Sequence, residues 1–507
     1  MKQLRNQPVL ILGLGASGLA MVRWCVRCGA LVTVADTRAE PPSLGTLREQ
    51  LPDVTFVCSD MVPSLVEGTA IRAVFKSPGL SPEAVAPVWS AATAMGLWTG
   101  GELSLFSAAL KDLKEDQAYE PKVLAITGTN GKTTVTSLTG QLVARSGKSV
   151  AVAGNIGPTL LDTLAERIYQ CTLPEVWVLE LSSFQLDVVT GFEPTAATVL
   201  NITQDHLDWH GSMSAYAQAK SAVFGRQTLM ILNREDLAVM AMAPSAEEVK
   251  KKLKPTHSML TFGADMPQRP GDFGIEVVNG MAWLVRAHEA DETRRVKKRG
   301  SVAEEEEIHI QRLMPADALR IRGRHNAVNA LAALALSSSA GCALGPVLYA
   351  LRDYMGEPHR VEPVAIIDDV EYFDDSKGTN VGATVAALKG LGAERRVVVI
   401  LGGEGKGQDF SPLAPPVNQF ARAVILIGRD APLIREALAT TGVSLLDADS
   451  MAQAVASAAA RANPGDAVLM SPACASFDMF NNYEHRAEVF RQAVQSIADD
   501  AGVEMSP

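Results

Sequence analysis

Residues 124–138, LAITGTNGKTTVTSL, lead from an apolar run through a glycine-rich turn into a helical pattern. A turn of this kind binds phosphate, because backbone N–H groups and the positive end of the helix dipole face the anion. The standard phosphate loop reads G-x-x-x-x-G-K-[ST], but the first glycine here, Gly128, stands two residues late. The stretch therefore predicts an α/β domain with a shortened phosphate loop. The alternative is a tight turn without a ligand.

The residue types in and near this loop suit ATP and Mg²⁺. Backbone N–H groups of residues 129–132 can point at phosphate oxygens, the Lys132 ammonium can reach the β- and γ-phosphates, and the Thr133 hydroxyl can hold Mg²⁺. Glu180 follows the apolar run VWVL, and an acid at a strand end beside a phosphate loop is well placed to bind Mg²⁺. The other interpretation of Glu180 is a carboxylate held by the backbone of the next residues, LSS.

The first hundred residues also alternate short apolar runs with helical patterns. Residues 9–15, 31–36 and 73–79 are predicted strands that end in turns, which is typical of a parallel sheet with helices. GLGASG, residues 13–18, follows the first strand and Asp36 closes the second, as in a dinucleotide-binding fingerprint. Three interpretations stay open: an NAD site, a tight turn without a ligand, and a site for another nucleotide-linked substrate.

The alternation recurs along all 507 residues, a length that suits about three domains. We expect an α/β protein with a Rossmann-like N-terminal domain (1–102), a central domain like a P-loop ATPase (103–355) and a Rossmann-like C-terminal domain (356–507), each with a mainly parallel sheet. Within this frame, residues 111–120 are a predicted polar connection, 323–341 a buried helix, and 241–311 an irregular stretch. The charge run at 296–307 is a predicted solvated loop.

Ligands of parallel sheets bind beyond the carboxyl ends of the strands, where several polar segments of this chain lie. Residues 201–220 contain acids and histidines whose spacing fits no common zinc site, so Asp208 and His210 are assigned to surface or capping roles. The segments 374–380, 402–407 and 471–483 are polar turns of the third domain. Lys377 and Lys406 can grip an anionic ligand there, or be ordinary exposed lysines.

Composition limits the classes of partner. Forty-six basic and 57 acidic residues give a net charge of −11, which argues against binding to a nucleic-acid backbone. The 6 cysteines are scattered and are interpreted as structural thiols, including the pair Cys25 and Cys28. Apolar runs fall short of the roughly 18–20 residues that span a membrane, so we expect a cytoplasmic protein without membrane insertion.

The segments GTNGKTT, GNIG, ELSSFQL, NITQDHLD and HNAVNALAA resemble, in order and spacing, those of the Mur ligases, the ATP-dependent amino-acid ligases of peptidoglycan precursor synthesis. The resemblance covers nearly the whole chain. GLGASG with DTR and SPG, DDSKGTN, and SPACASFD resemble the branch that adds D-glutamate to UDP-N-acetylmuramoyl-L-alanine. The alternative is another Mur-type ligase or a folylpolyglutamate-type ligase, since these share the loop.

This resemblance implies that ATP phosphorylates the substrate carboxylate and that the amine of D-glutamate attacks the acyl phosphate. It implies two Mg²⁺ sites, a monomer, no NAD and a nucleotide turn that binds UDP. It assigns catalysis to Lys132, Glu180, His206 and Lys220. The implied metal residues are Thr133, Glu180, His206 and, if it is carbamylated, Lys220.

The resemblance also implies three sets of binding residues. The ATP set is Gly128, Thr129, Asn130, Gly131, Lys132, Thr133, Thr134, Asn329, Arg360 and Asp375. The UDP-substrate set is Gly15, Ala16, Ser17, Asp36, Thr37, Arg38, Gly79, Asn155 and His206. The D-glutamate set is Lys377, Thr379, Lys406, Ser476 and Tyr483. Two features depart from the family pattern: Tyr483 stands where a phenylalanine is expected, and the stretch 241–311 is long.

Two other classes of function compete with the ligase. An NAD-dependent dehydrogenase would use the turn at residues 13–18, and NADH binding would reveal it. A nucleotide-gated binding protein would use the phosphate loop without rapid turnover.

Overall fold

The computed structural model describes residues 2–244, 258–289, 308–393 and 395–503. Its strands form three sheets of five, nine and six strands that follow one another along the chain. The strands are short apolar runs such as Val397–Gly402, which is buried along its whole length. Burial on both faces is typical of parallel sheets covered by helices. The predicted α/β class is confirmed.

The first sheet is parallel throughout, in the order β3-β2-β1-β4-β5. Its central strand ends just before the GLGASG turn, so this turn lies at the carboxyl edge of the sheet. The strands are β1 (Pro8–Leu12), β2 (Leu31–Asp36), β3 (Thr55–Cys58), β4 (Ala73–Lys76) and β5 (Trp98–Gly100). The helices are α1 (Ala16–Arg27), α2 (Leu44–Gln50) and α3 (Pro82–Ala94).

The second sheet has the order β14-β13-β12-β11-β10-β9-β6-β8-β7. Because β8 neighbours β6, Glu180 and the phosphate loop emerge side by side at the carboxyl edge. The strands are β6 (Lys122–Thr127), β7 (Val150–Gly154), β8 (Val176–Glu180), β9 (Ala196–Val199), β10 (Leu229–Asn233), β11 (Met259–Phe262), β12 (Phe273–Val278), β13 (Met281–Glu289) and β14 (Ile308–Pro315). The helices are α4 (Glu102–Gln117), α5 (Lys132–Arg145), α6 (Leu160–Tyr169), α7 (Ser183–Leu186), α8 (Leu207–His210), α9 (Met213–Ser221), α10 (Leu237–Met240), α11 (Arg324–Ser339) and α12 (Leu344–Asp353).

The third sheet has the order β15-β16-β20-β17-β18-β19, and only its edge pair β15 and β16 is antiparallel. Since β16, β20 and β17 are neighbours, the polar segments that follow them share one edge. The strands are β15 (Glu362–Ile367), β16 (Val370–Asp374), β17 (Val397–Gly402), β18 (Ala421–Ile427), β19 (Ser444–Asp447) and β20 (Ala467–Met470). The helices are α13 (Val381–Gly392), α14 (Ala414–Phe420), α15 (Ala431–Leu438), α16 (Met451–Arg461) and α17 (Tyr483–Ala501).

Two predicted irregular segments are regular in the structure. The described part of 241–311 contains β11 to β13 and the start of β14, and β12 and β13 form a hairpin through Asn279 and Gly280, both at positive φ. The charge run 296–307 lies outside the described residues. The predicted connection at 111–120 is mostly the end of α4, because Phe106, Ala109 and Leu113 bury one face of a helix that continues to Gln117.

The alanine-rich segment confirms the prediction of a buried helix. Helix α11 is buried along most of its length and packs against α5 and several strands of the second sheet. Alanine side chains let it approach α5 closely, which fixes the helix that carries Lys132. Of the six predicted structural thiols, Cys25 is buried in α1, and Cys28, the residue after this helix, is half-buried.

Candidate active site

The shortened loop after β6 depends on two glycines. Gly128 has φ of 149° and Gly131 has φ of 85°, conformations that disfavour other residues. A Cβ on Gly128 would lie 3.0 Å from Leu200 Cβ, and one on Gly131 would lie 2.8 Å from Asn329 Oδ1. The loop therefore has the tight turn and the close helix approach that a phosphate site needs, and it brings Asn329 of α11 to its rim.

The segment after β9 braces this loop. Thr129 N–H donates to the carbonyl of Asn201 (2.9 Å), and Asn130 N–H donates to Asn201 Oδ1 (2.8 Å). Asn201 Nδ2 donates back to the Asn130 carbonyl (3.0 Å). The first two N–H groups were predicted to face phosphate, but they have protein acceptors here. Asn201 was not predicted, and its place at the start of NITQDH was the available indication.

Two lysines converge on the same turn. Lys132 Nζ donates to the carbonyls of Gly128 and Thr129, both at 2.9 Å, and Lys220 Nζ donates to the Gly128 carbonyl at 2.8 Å. Burial lowers the pKa of both ammonium groups, for Lys220 far below its ordinary value with the Lys132 charge as the second cause. Tyr216 lies beside them, with its ring centroid 4.7 Å from Lys220 Nζ. Burial and mutual repulsion therefore favour a neutral Lys220 amine.

Glu180 ends β8 and is buried. Its Oε1 accepts a hydrogen bond from Asn155 Nδ2 at 3.2 Å. Among the described residues, no hydrogen bond joins the LSS backbone to this carboxylate, so the structural alternative for Glu180 lacks support. The structure thus places an acid, an amide and the phosphate loop at one edge.

The predicted His206 lies at the start of α8, with φ of 52°. Its Nε2 is 3.6 Å from Asp205 Oδ2, and its ring centroid lies 4.8 Å from that of Phe184. Burial, followed by the charges of Lys132, Lys220 and Lys406, lowers its pKa, while Asp205 raises it. A neutral imidazole at this position can bind a metal ion or accept a hydrogen bond from a substrate.

Of the two residues assigned to surface or capping roles, Asp208 is exposed and His210 is half-buried. His210 Nε2 lies 2.9 Å from Ser183 Oγ, and its ring packs against Trp209 and Tyr216. Burial, then the charges of His206 and Lys220, lowers the pKa of His210 to about 4. A histidine in this aromatic cluster supports the helix that carries His206.

The third sheet reaches over the phosphate loop. Arg360 Nη2 donates to Thr133 Oγ1 at 2.8 Å. Asp375 follows β16, accepts from Ser471 Oγ at 2.6 Å and has a pKa raised to about 7 by burial, against the opposing effects of Ser471 and Arg360. Both residues line one cleft with Asn130, Gly131, Thr134 and Asn329. Six of the predicted ATP residues therefore share a cavity between the second and third sheets.

The predicted D-glutamate residues lie at the neighbouring edge. Lys377 Nζ is 3.6 Å from the Tyr483 ring centroid, and burial, then the Arg360 charge, lowers its pKa to about 8. Lys406 is exposed on the loop after β17, and Ser476 is buried in the segment after β20. These two segments pair through Glu404 and Ala475, which keeps both loops together. Thr379 lies two residues before the start of α13.

The turn of the first sheet is organised around an acid. Asp36 Oδ2 accepts from Leu14 N–H at 2.8 Å, and Arg38 donates to both carboxylate oxygens at 2.9 and 2.8 Å. Burial alone would raise the pKa of Asp36, but the hydrogen bonds from Arg38 and Leu14 lower it to about 2. The acid therefore pins the turn, and Arg38, which was predicted to bind the UDP substrate, is paired with this acid.

The remaining residues predicted for this turn lie around it. Gly15 precedes α1, Ala16 and Ser17 begin that helix, Thr37 follows Asp36, and Gly79 stands in the turn after β4. Ser17 hydrogen-bonds the buried Glu102 at the start of α4, which also accepts from Leu161 N–H at 3.0 Å. Sequence reasoning missed Glu102, which ties the first glycine turn to the second sheet.

Three family models match the chain in succession. They are the Mur ligase MurD-like, N-terminal domain over residues 7–98, the Mur ligase middle domain over 126–337, and the Mur ligase, glutamate ligase domain over 359–474. A relative from Albidiferax ferrireducens, a UDP-N-acetylmuramoylalanine–D-glutamate ligase, is 68% identical over 502 residues, covering 99% of this chain and 98% of its own. The chain belongs to the Mur ligase family.

Other comparisons agree with this family. A UDP-N-acetylmuramoylalanine–D-glutamate ligase from Ralstonia nicotianae is 56% identical over 502 residues, covering 98% of each chain. The solved structure of MurF from Acinetobacter baumannii has a TM-score of 0.56 and 17% identity, covering 95% of this Mur ligase and 93% of that chain. At 17% identity, this similarity to the MurF structure supports the three-sheet fold and nothing about function. Within the part of this Mur ligase that the structure describes, no helix combines the length and apolarity needed to cross a membrane.

Proposed function

We propose that this Mur ligase joins D-glutamate to UDP-N-acetylmuramoyl-L-alanine and converts ATP to ADP and phosphate. The observation that carries the proposal is its full-length similarity to relatives of that name, at 68% and 56% identity. In the first step a carboxylate oxygen of the substrate forms a bond to the γ-phosphorus and ADP leaves. In the second step the amine attacks the acyl carbon, and phosphate leaves as the amine loses a proton.

We assign the cleft between the second and third sheets to ATP. Support comes from the glycine loop, the Lys132 ammonium beside it, and Arg360 at the hydroxyl of Thr133. Both Asn329 and Asp375 line this cleft, and we assign Asn329 to adenine and Asp375 to the ribose, as the family pattern implies. The other residues of the assigned ATP set are Gly128, Thr129, Asn130, Gly131 and Thr134. Two cationic groups at the phosphates would stabilise charge on the transferring phosphoryl group.

The residues beside the loop have the chemistry that Mg²⁺ prefers. Glu180 supplies a buried carboxylate, Thr133 a hydroxyl and His206 an imidazole of lowered pKa. We propose two Mg²⁺ ions here, and when bound they would neutralise charge on the phosphates and on the acyl phosphate. The protein side chains orient these oxygens and exclude water from them.

A carbamylated Lys220 would complete this set. Burial, followed by the charge of Lys132, lowers the pKa of its amine far below the ordinary value, which favours the neutral, nucleophilic form. The amine nitrogen can attack the carbon of CO₂, and loss of one proton leaves a carbamate anion. This reaction places an anion beside the Lys132 ammonium, which attracts it, and adds oxygen ligands for Mg²⁺.

We assign the edge formed by Lys377, Thr379, Lys406, Ser476 and Tyr483 to D-glutamate. Two ammonium groups suit the carboxylates of the amino acid, and the packing of Lys377 on the Tyr483 ring orients one of them. Tyr483 would add a hydroxyl that the expected phenylalanine lacks. The amine of D-glutamate would then face the acyl phosphate across the cleft.

We assign the first sheet to the uridine nucleotide, with Asn155 and His206 at the muramoyl-alanine end. The turn at Gly15, Ala16 and Ser17 would hold the nucleotide, together with Asp36, Thr37, Arg38 and Gly79. The borders proposed for the three domains are 1–102, 103–355 and 356–507. We also propose that the protein is a monomer and that it works in the cytoplasm.

The decisive experiment measures ADP release with each substrate omitted in turn. We expect turnover only when UDP-N-acetylmuramoyl-L-alanine, D-glutamate and ATP with Mg²⁺ are all present. Equal rates with L-glutamate would contradict the D-glutamate assignment. An NADH titration serves as the control for the dinucleotide interpretation of residues 13–18, and we expect no change in fluorescence at millimolar cofactor.

A further inference from the structure

Asn380, the residue before α13, forms a reciprocal amide pair with Asn130 of the phosphate loop. Asn380 Nδ2 donates to Asn130 Oδ1 at 3.0 Å, and Asn130 Nδ2 donates to Asn380 Oδ1 at 3.3 Å. The two residues are 250 positions apart. Asn380 lies in the segment after β16 of the third sheet, and Asn130 lies in the loop after β6 of the second sheet. Asn380 is 6% exposed, so this contact is made away from solvent.

The pair is anchored on both sides. Asn380 Oδ1 also accepts from Ala383 N–H at 2.9 Å, which caps the start of α13, and its Nδ2 lies 3.5 Å from Asp205 Oδ2. The backbone of Asn130 is held by Asn201 through two hydrogen bonds. The amide pair therefore joins two fixed elements.

Gly382 gives an independent indication that α13 docks on the loop closely. A Cβ at this position would lie 2.8 Å from Thr203 Oγ1 and 3.1 Å from Asn130 Nδ2. Its φ is not in the left-handed region, so the space, and not the backbone conformation, requires glycine. The first turn of α13 is fitted to the phosphate loop.

The location of this contact links two binding sites. Lys377 and Thr379 lie within three residues before Asn380, while Ala383, Ala386 and Ala387 of α13 line the nucleotide cleft. We propose that Asn380 is a positioning residue. Through its contact with Asn130, it fixes the segment that binds D-glutamate and the α13 wall of the ATP cleft relative to the phosphate loop, so that the amine of D-glutamate meets the acyl phosphate. This inference rests on the proposed function.

Three variants separate the amide pair from the helix cap. Asn380→Ser keeps a capping oxygen but is too short to reach Asn130, Asn380→Ala removes both, and Gly382→Ala keeps every polar group but pushes α13 away. A matched control is Ser450→Ala, which removes the cap of α16.

Steady-state kinetics with each substrate varied provide the test. We expect Asn380→Ser and Gly382→Ala to raise the KM for D-glutamate and the KM for ATP about tenfold, with the KM for the UDP substrate unchanged. Weaker binding of ADP by calorimetry should accompany this change, because α13 lines the cleft. Ser450→Ala should leave all three KM values unchanged.

A purely structural role would lower the rate in proportion to the folded fraction and leave every KM unchanged, and that result overturns the inference. A double variant with Asn130→Ser gives a second measurement. If the amides act as a pair, the double variant loses about as much as the more impaired single variant, whereas multiplied losses would overturn the pairing. An inactive wild-type chain would instead refute the proposed function.

Discussion

The first and second sheets each carry a glycine turn between a central parallel strand and a helix, yet the two turns have opposite charge. The turn at 13–18 is held by the Asp36 carboxylate, whose pKa falls to about 2. The turn at 128–131 is held by the Lys132 ammonium and by the side-chain amine of Lys220. Similar backbone paths therefore support different ligands, because the side chains that brace a turn set its electrostatic potential. An acid suits a nucleotide's hydroxyls, and cations suit its phosphates.

The comparison predicts a large loss of catalysis when the second turn loses its charge. Lys132→Ala should reduce kcat by about 10³-fold, since it removes a cation that stabilises the transferring phosphoryl group. The KM for the UDP substrate should change little. Assays of ADP release at saturating substrates measure the effect, and Lys114→Ala, which removes an exposed surface lysine paired with Glu120, is the control. A loss below tenfold would mean that Lys132 does not contact the phosphates.

A second prediction concerns the carbamate proposed for Lys220 beside this turn. Lys220→Ala should lower kcat about 10²-fold, and acetate or formate should restore part of the activity by replacing the carbamate. Lys220→Arg keeps the positive charge and fills the space, so it should be inactive without rescue. If short carboxylates do not restore activity to Lys220→Ala, the carbamate role is wrong.

Local patterns predicted the turns themselves but not what braces them. Strand, glycines and helix are contiguous at 122–145, so periodicity and turn chemistry sufficed to identify the phosphate loop. The partners of that loop come from distant segments: Asn201 lies 71 residues away and Asn380 lies 250 away. Such contacts depend on how three sheets pack, which residue types and spacing do not encode locally.

Two segments, 241–311 and 111–120, were predicted wrongly although their own residues indicated the observed structure. The sequence FGIEVVNGMAWLV contains Asn-Gly between apolar runs, which indicates a hairpin, but the charged residues around it favoured an irregular segment. Leu103, Phe106, Leu110 and Leu113 recur at helical spacing, yet the charges between them suggested a connection at 111–120. In both cases the apolar period was more informative than the charge content.

A third cation extends the comparison to the neighbouring D-glutamate edge. Burial, then the charge of Arg360, lowers the pKa of Lys377 to about 8, so its ammonium charge is present below that pH and is lost above it. We expect kcat/KM for D-glutamate to fall by up to about tenfold per pH unit above 8. Lys377→Arg stays protonated and should remove this limb of the profile while the ionisation of D-glutamate itself remains. An unchanged profile would exclude Lys377 as the titrating group.

The smallest expected effect comes from neutralising the acid of the first turn. The Asp36 pKa of about 2 lies below its ordinary value of 3.8, so its ionised form stabilises the folded state above about pH 4. This contribution is lost as the pH falls from about 4 to 2, and its size is about 2 kcal/mol. Asp36→Asn should therefore lower the free energy of unfolding at pH 7 by up to that amount and by about half as much at pH 3, as measured by urea denaturation. Asp116→Asn, at an exposed pair with Lys2, should change the free energy of unfolding far less than Asp36→Asn does at pH 7. An equal loss for Asp36→Asn at both pH values would show that shape, and not charge, pins this turn, and the contrast between the two turns would then be one of geometry.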